Sequence, residues 1–419
     1  MEQNKLHPKA VENIENKIRG SLKNCLVKEN WPQYESFSVH VGSLSEEILK
    51  HKKEWLDRAD VFSIFYDFVY AAIKTVVERD QKVGGNLWDI LGNEKSQQLA
   101  NSLRDYFISI PRTFDLYIPI PEISRVIPSP IRLSEKISIV SFQNGDKVPG
   151  GLHRGLLSLD NKLEIGKVYV KQRMSGHAGD RLESACPKKA VNDLKIILQQ
   201  GMFRGLFTLT PQGKAGLSLF GAFTHHQIKK SKVVSVDEGF GEPKVTAVEL
   251  PIDVCRLLSN IDIAWNGEPI RRALEKNALD KAITALLMKP VLLIDCSDEE
   301  ANRVKAAIKW CFDSYAVENQ TLAFLQVCIG LEALLGDTGY NGLLTETLAD
   351  RCAYLVADDI KGRRTIKTNF KELYEVRSKL VHGNVTELDS DQAGYLRWGK
   401  SVLEYAIVKE MKHLNLGGT

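Results

Sequence analysis

Apolar residues return at three- and four-residue steps through PKAVENIENKIRGSLKNCLV, LSEEILKHKKEWLDRADVFSIFYDFVYAAIKTVVERD and EKSQQLANSLRDYFISI. That spacing lines one face of an amphipathic helix, so residues 1–110 are expected to be mainly helical. From Pro111 the texture changes to short β-rich runs, TFDLYIPIP, EKISIVSF, IGKVYVKQ, KVVSV and KVTAVELP, separated by Gly, Pro, Asn and Asp. Such runs predict strands and turns. One helix, KKAVNDLKIILQQG, is expected to interrupt them and to close at Gly201.

A capping-box pattern, Ser297-Asp298-Glu299-Glu300, then opens a different texture. Five helical segments follow: DEEANRVKAAIKWCFDSYA, NQTLAFLQVCIGLEALLGD, LLTETLADRCAYLVA, DDIKGRRTIKTNFKELYEVRSKLVH and SDQAGYLRWGKSVLEYAIVKEMKH. Short links favour an up-and-down bundle. The expected fold class is α+β. A mainly helical region (1–110) and a mixed β-rich region (111–296) precede an all-α domain over 297–415.

Composition narrows the function. The chain has 419 residues, 43% hydrophobic and 26% charged, as in an ordinary soluble protein. A net charge of +3 is too small to hold nucleic acid by bulk electrostatics, and residues 297–419 carry 15 Lys+Arg against 18 Asp+Glu. Any polyanion site must be local. Seven cysteines, Cys25, Cys186, Cys255, Cys296, Cys311, Cys328 and Cys352, form no Cys-x-x-Cys pair, so neither a metal site nor a cofactor is expected. The first residues lack the apolar core of a signal peptide, and no apolar run approaches the ~18 residues of a membrane span. The expected location is the cytoplasm.

One stretch places polar chemistry where packing is expected. In LYEVRSKLVHGN, residues 373–384, Arg377 follows Ile366, Phe370 and Leu373 on an apolar stripe that continues to Leu380, with Tyr374 and Val381 widening it. The plainer reading is an arginine whose stem packs while its head pairs with a carboxylate such as Glu332 in CIGLEALLG. His382 lies about 140° around the helix from Arg377. Gly383 suits a left-handed cap that would let the imidazole swing back, although a histidine meeting the helix dipole is reason enough for its place.

The stretch resembles the signature of HEPN domains, whose ribonuclease members carry Arg-x4-6-His, and it is most similar to the Apea-like branch. The resemblance covers about residues 297–415 and includes IGLEALLGD (329–337) and LADRCAYLV (348–356). It implies a metal-independent RNA endonuclease of bacterial defence or toxin systems, in which two domains pair so that both motifs line one cleft. Arg377, His382 and Ser378 would be catalytic. Tyr374, Lys379 and Asn384 would contact substrate, and Glu332 and Gly383 would support the site.

The residue types suit that chemistry. RNA is cut when its 2′-hydroxyl attacks the adjacent phosphorus, which needs a base, an acid and positive charge on the phosphorane oxygens. A histidine titrates near neutrality, and a neighbouring guanidinium would favour its neutral, basic form. An arginine holds two phosphate oxygens in a planar fork. Tyr374 can stack on a base, but packing suits it better.

Other candidates are weaker. Gly216-x-Ser218 lacks the second glycine of a hydrolase elbow. VPGGLHRG and DEGFGEPK are glycine-rich without a phosphate-loop signature. His225, His226, Lys229, Lys230 and Lys232 read more readily as a solvated edge than as an RNA patch. Asp298, Glu299 and Glu300 suit a helix start. The alternatives are a non-catalytic HEPN-like module binding RNA, a nucleotide or a protein, and a dimerisation element whose chemistry lies in 111–296. The amino-terminal region, by its size, is expected to sense an activating ligand or, in a defence setting, a phage protein.

Overall fold

The computed structural model describes residues 6–77, 82–120, 130–143, 146, 163–209, 230–237, 244–336, 344–383, 385–414 and 416. The fold is α+β with a helical carboxy-terminal region. It begins with α1 (Pro8–Lys23), β1 (Leu26–Lys28), β2 (Trp31–Pro32), α2 (Tyr34–Lys52), α3 (Arg58–Val76), β3 (Gly85–Asn86) and α4 (Leu87–Ser109). Periodicity alone runs α2 and α3 together. The break comes from Asp57, which caps α3 in a reciprocal box with Asp60. Between β1 and β2 the chain turns through Glu29 and Asn30, both with positive φ (49° and 71°), as a two-residue hairpin requires. These elements bury a core of their own around Ile18, Phe37, Val41, Phe65 and Leu103.

Next come β4 (Arg112–Pro119), β5 (Ile131–Arg132), β6 (Ile137–Ser141), β7 (Val168–Gly176), α5 (Ala185–Phe203), β8 (Phe207–Leu209), β9 (Lys232–Asp237) and β10 (Lys244–Glu249). Six of these strands make an antiparallel sheet in the order β10-β9-β4-β7-β6-β5. Each expected β-rich run supplies one of its strands. Helix α5 lies against it, while Tyr117, Tyr169, Val234 and Val236 form a separate apolar cluster.

The expectation of one helix between 111 and 296 is corrected. Beyond α5, the chain forms α6 (Ile252–Ser259), β11 (Ile261–Ile263), α7 (Glu268–Glu275) and α8 (Leu279–Asp295). Helices α6 and α7 are each 8 residues long, too short to display a period, and α8 contains Pro290, which reads as a breaker. Gly201 is likewise not a cap. It lies inside α5, whose C-cap is Arg204 with Gly205 at positive φ beyond it. A Cβ on Gly201 would sit 2.4 Å from the Phe207 ring, so the glycine is kept for close packing.

The final helices are α9 (Glu299–Ala316), α10 (Gln320–Leu335), α11 (Leu344–Val356), α12 (Ile360–Val381) and α13 (Gln392–His413). The cap of α9 is Asp298 rather than Ser297, with its carboxylate accepting from the Ala301 amide at 2.7 Å. Helix α9 pairs with α10 and α11 with α12, and α13 crosses all four. Gly330 and Gly399 admit that crossing, since a Cβ on either would fall within 3 Å of Leu403 or Leu373 respectively. One apolar core runs from Phe114 through α5 and α9 to Met411. The change at 296–298 is therefore one of architecture within a shared core.

Replacing Gly201 by alanine is expected to destabilise the protein by about 1–3 kcal/mol, because the added methyl overpacks against Phe207. The midpoint of urea unfolding measures it; an unchanged midpoint would show that the ring can yield.

Candidate active site at the end of helix α12

Helix α12 buries Phe370, Leu373, Tyr374 and Val376. Val376 thus belongs to the stripe, while Val381, expected there, is 52% exposed. The correction follows from where the core ends: Leu380 is still half-buried against it, whereas Val381, in the last turn before Gly383 closes the helix, lies outside it. Tyr374 stacks on Phe370 with ring centroids 4.7 Å apart and is 6% exposed. It is a packing residue, unavailable for stacking on substrate.

Arg377 faces α10. Its Nη2 lies 3.3 Å from Glu332 Oε1, an ion pair without hydrogen-bond alignment. The pair is not dry, for the side chains are 33% and 27% exposed. Cys328, one turn before Glu332, and Tyr374 complete the neighbourhood. Burial, reinforced by the Glu332 carboxylate, pushes both the Cys328 thiol and the Tyr374 phenol far above their usual ranges, and Arg377 opposes the shift. This arrangement is the pairing anticipated by the plainer reading of Arg377. It also leaves the guanidinium without a side-chain hydrogen bond among the described residues, able to turn toward an incoming anion.

His382 is the C-cap of α12, with φ −86° and ψ 5°, and Gly383 follows with φ +73°. The His382 amide donates to the Ser378 carbonyl at 3.0 Å and that of Gly383 to the Leu380 carbonyl at 3.2 Å, so the glycine closes the helix as expected. The imidazole is exposed and makes no hydrogen bond among the described residues. Helical backbone persists to Val381, so the swing toward Arg377 does not occur and no hydrogen bond joins the two. Ser378 and Lys379 are exposed as well, and Lys379 pairs with Glu375 at 2.8 Å. Asn384 lies outside the described residues. The fold therefore gathers Arg377, Glu332 and Tyr374, and leaves His382, Ser378 and Lys379 facing solvent.

Of the other sequence candidates, 148–155, Gly216, Ser218, His225, His226 and Lys229 fall outside the described residues. Lys230 pairs with Glu249 at 3.3 Å. Asp298 is a cap. Six cysteines are buried, Cys296 is half-buried, and all seven are free. Among the described residues, no group of three or more His, Cys, Asp or Glu could hold a metal.

Sequence reasoning missed a second polar cluster, at the junction of α5, α9 and α13. Gln199 donates to Cys311 Sγ at 3.4 Å, and Lys400 Nζ lies 4.2 Å from the centre of the Tyr315 ring. Burial pushes Glu404 up and Lys400 down. In the sequence, Lys400 and Glu404 look like a surface i,i+4 pair; only packing against α9 reveals otherwise. Tyr315 also lines a cleft of about 350 Å³ with Arg256, Asn260 and Glu318.

Comparison with protein families, curated proteins and solved structures gives no match to this chain.

Two outcomes follow from this geometry. Glu332→Ala is expected to cost about 1 kcal/mol in urea unfolding, a value kept small because both partners are partly solvated. Glu404→Gln is expected to raise the melting temperature at pH 7. The folded protein holds the Glu404 proton above the ordinary value of 4.5, so its charge opposes folding as pH rises. The advantage should shrink toward pH 4.5, as melting curves at both pH values will show.

Proposed function

We propose that the carboxy-terminal helices form a metal-independent RNA endonuclease that works as a homodimer. The resemblance of residues 373–384 to the HEPN signature carries this reading. The exposed imidazole of His382 on a glycine-closed helix end is its structural support, together with an Arg377 held only by one loose ion pair. In this mechanism, His382 accepts the proton of the substrate's 2′-hydroxyl and Arg377 turns from Glu332 to the phosphate. The attack forms the bond from the 2′-oxygen to phosphorus and breaks that to the 5′-oxygen, which takes a proton back from His382, leaving a 2′,3′-cyclic phosphate and a 5′-hydroxyl with no water as nucleophile. Because Arg377 and His382 do not meet within one chain, the complete constellation needs the end of α12 from a second copy. Val381, half exposed beside His382, suits such a contact.

A second reading is a non-catalytic module for dimerisation, RNA or partner binding. The Arg377–Glu332 pair favours it, since it gives the arginine a structural task.

Cleavage of total RNA in chelator separates the two. On the enzymatic reading, His382→Ala and Arg377→Ala lower the rate by at least about 100-fold while the protein stays folded and dimeric. One 2′-deoxy substitution 5′ to the scissile phosphate stops cutting at that bond. Wild-type rates in either folded variant would sink the proposal, as would 5′-phosphate products that require a divalent ion. Unfolding of the Arg377 variant would instead favour the structural reading.

A further inference from the structure

Helix α3 carries Arg58, Phe62, Tyr66, Tyr70 and Lys74 at uninterrupted four-residue intervals. Each step drifts about 40° around the helix, so the series forms one slowly winding stripe about 24 Å long. It flanks the core face, which uses Val61, Ile64, Phe65, Val69 and Ile73; Phe62, Tyr66 and Tyr70 are half-buried beside that face, and Arg58 and Lys74 are exposed. The stripe is aromatic in the middle and cationic at both ends. Arg58 lies 5.8 Å from the centre of the Phe62 ring and Lys74 Nζ 4.3 Å from that of Tyr70.

The β1–β2 hairpin extends this surface. Its tight turn sets Lys28 opposite Trp31, and the indole stacks on Tyr70 at 4.7 Å and 16°. Tyr66 continues the stack from Tyr70 at 6.2 Å and 17°. A tryptophan kept only to pin the hairpin would be covered, yet Trp31 is 51% exposed. Lys28 and Lys74 are exposed beside it, while Glu29, the acid in the turn, is paired with Lys82 at 3.3 Å.

We infer that this surface binds a single strand of nucleic acid, with a base stacking on the open face of Trp31 and the strand running along the edge of the half-buried aromatic stripe while Lys28, Lys74 and Arg58 meet the phosphates. Flat rings interleaved with cations are what an unpaired strand requires, and the grip is tolerant of sequence because every base has a π-face. A proline-rich peptide also stacks on aromatic rings, but it has no charge to answer cations at both ends of the stripe. A duplex hides its base faces. The inference does not depend on whether the carboxy-terminal helices cut RNA.

The test uses fluorescence anisotropy of the full chain with a labelled deoxythymidine strand of about ten nucleotides, which lacks the 2′-hydroxyl and so cannot be cleaved by the proposed route. The strand is expected to bind, and Trp31→Ala and Tyr70→Ala to weaken it by at least about tenfold. Lys74→Gln should flatten its salt dependence. If loss of Trp31 detaches the hairpin, seen by circular dichroism, the test is carried by Lys74→Gln and by Tyr34→Ala, which removes an exposed ring on α2 whose centroid lies 5.7 Å from that of Phe62 in the stripe. Failure of the strand to bind overturns the inference. So do unchanged affinity in the folded variants, equal affinity for duplex, and capture of a polyproline peptide instead.

Discussion

Helix α5 has no solvent face along its middle, and the architecture downstream of residue 111 depends on that double burial. From Ala190 to Gly201 none of its residues is exposed; only Lys188, Lys189 and Phe203, near its ends, reach open solvent. Strands β4 and β7 pack against it, and helices α8 and α9 pack against it too. Leu194, Ile197 and Leu198 belong to the single core that joins the sheet to the helical bundle, and truncating a side chain in such a place costs about 2–5 kcal/mol in comparable cores. The helix also brings polar groups inside. Gln200 donates to Gln199 at 2.6 Å, Gln199 to Cys311, and Lys195 reaches Asp313 on α9 at 2.6 Å. These contacts fix the register of α5 against α9, because an amide or ammonium buried without its partner is expensive.

Polar contacts join the amino-terminal helical unit to this body. Arg181 reaches Asp57 at 2.9 Å, Ser184 donates to Asp60 at 2.6 Å and Ser63 to Asp180 at 3.0 Å. Arg112, at the start of β4, is held by Asp237 at 2.6 Å and lies 5.2 Å from the centre of the Tyr106 ring on α4. The same Asp57 and Asp60 cap α3. The joint thus shares residues with the helix that carries the aromatic stripe, so events on α3 and the attachment of the whole unit are physically linked.

At the other end of the chain, Arg377 shows why a motif and a site differ. Its inward position is real, but its partner in the folded chain is Glu332, and the histidine that completes the motif stands on the far side of a regular helix end. On the proposed ribonuclease reading, the two share one cleft only when a second copy of the chain supplies the missing groups. The arginine is stable in the meantime because its pair is partly wet. A fully buried pair would resist being opened far more strongly.

Much was legible in the sequence. The α+β class, all five carboxy-terminal helices and the run-by-run strands were written in local periodicity and turn residues, which depend on neighbours within one or two turns. The same holds for the glycine closing α12, the packing of Tyr374 and the pairing of Arg377 with Glu332. Tertiary structure decided what depends on distant partners. It set Gly201 inside α5 against Phe207, moved the α9 cap to Asp298, buried Val376 in place of Val381, and left Lys400 and Glu404, an apparent surface pair, half-buried beside α9. It also laid the β1–β2 hairpin on α3, so that Trp31 meets Tyr70 from 39 positions away in the chain. Periodicity states which residues share a face; only the packed fold states what that face meets, because burial is a property of two surfaces and the sequence presents one at a time.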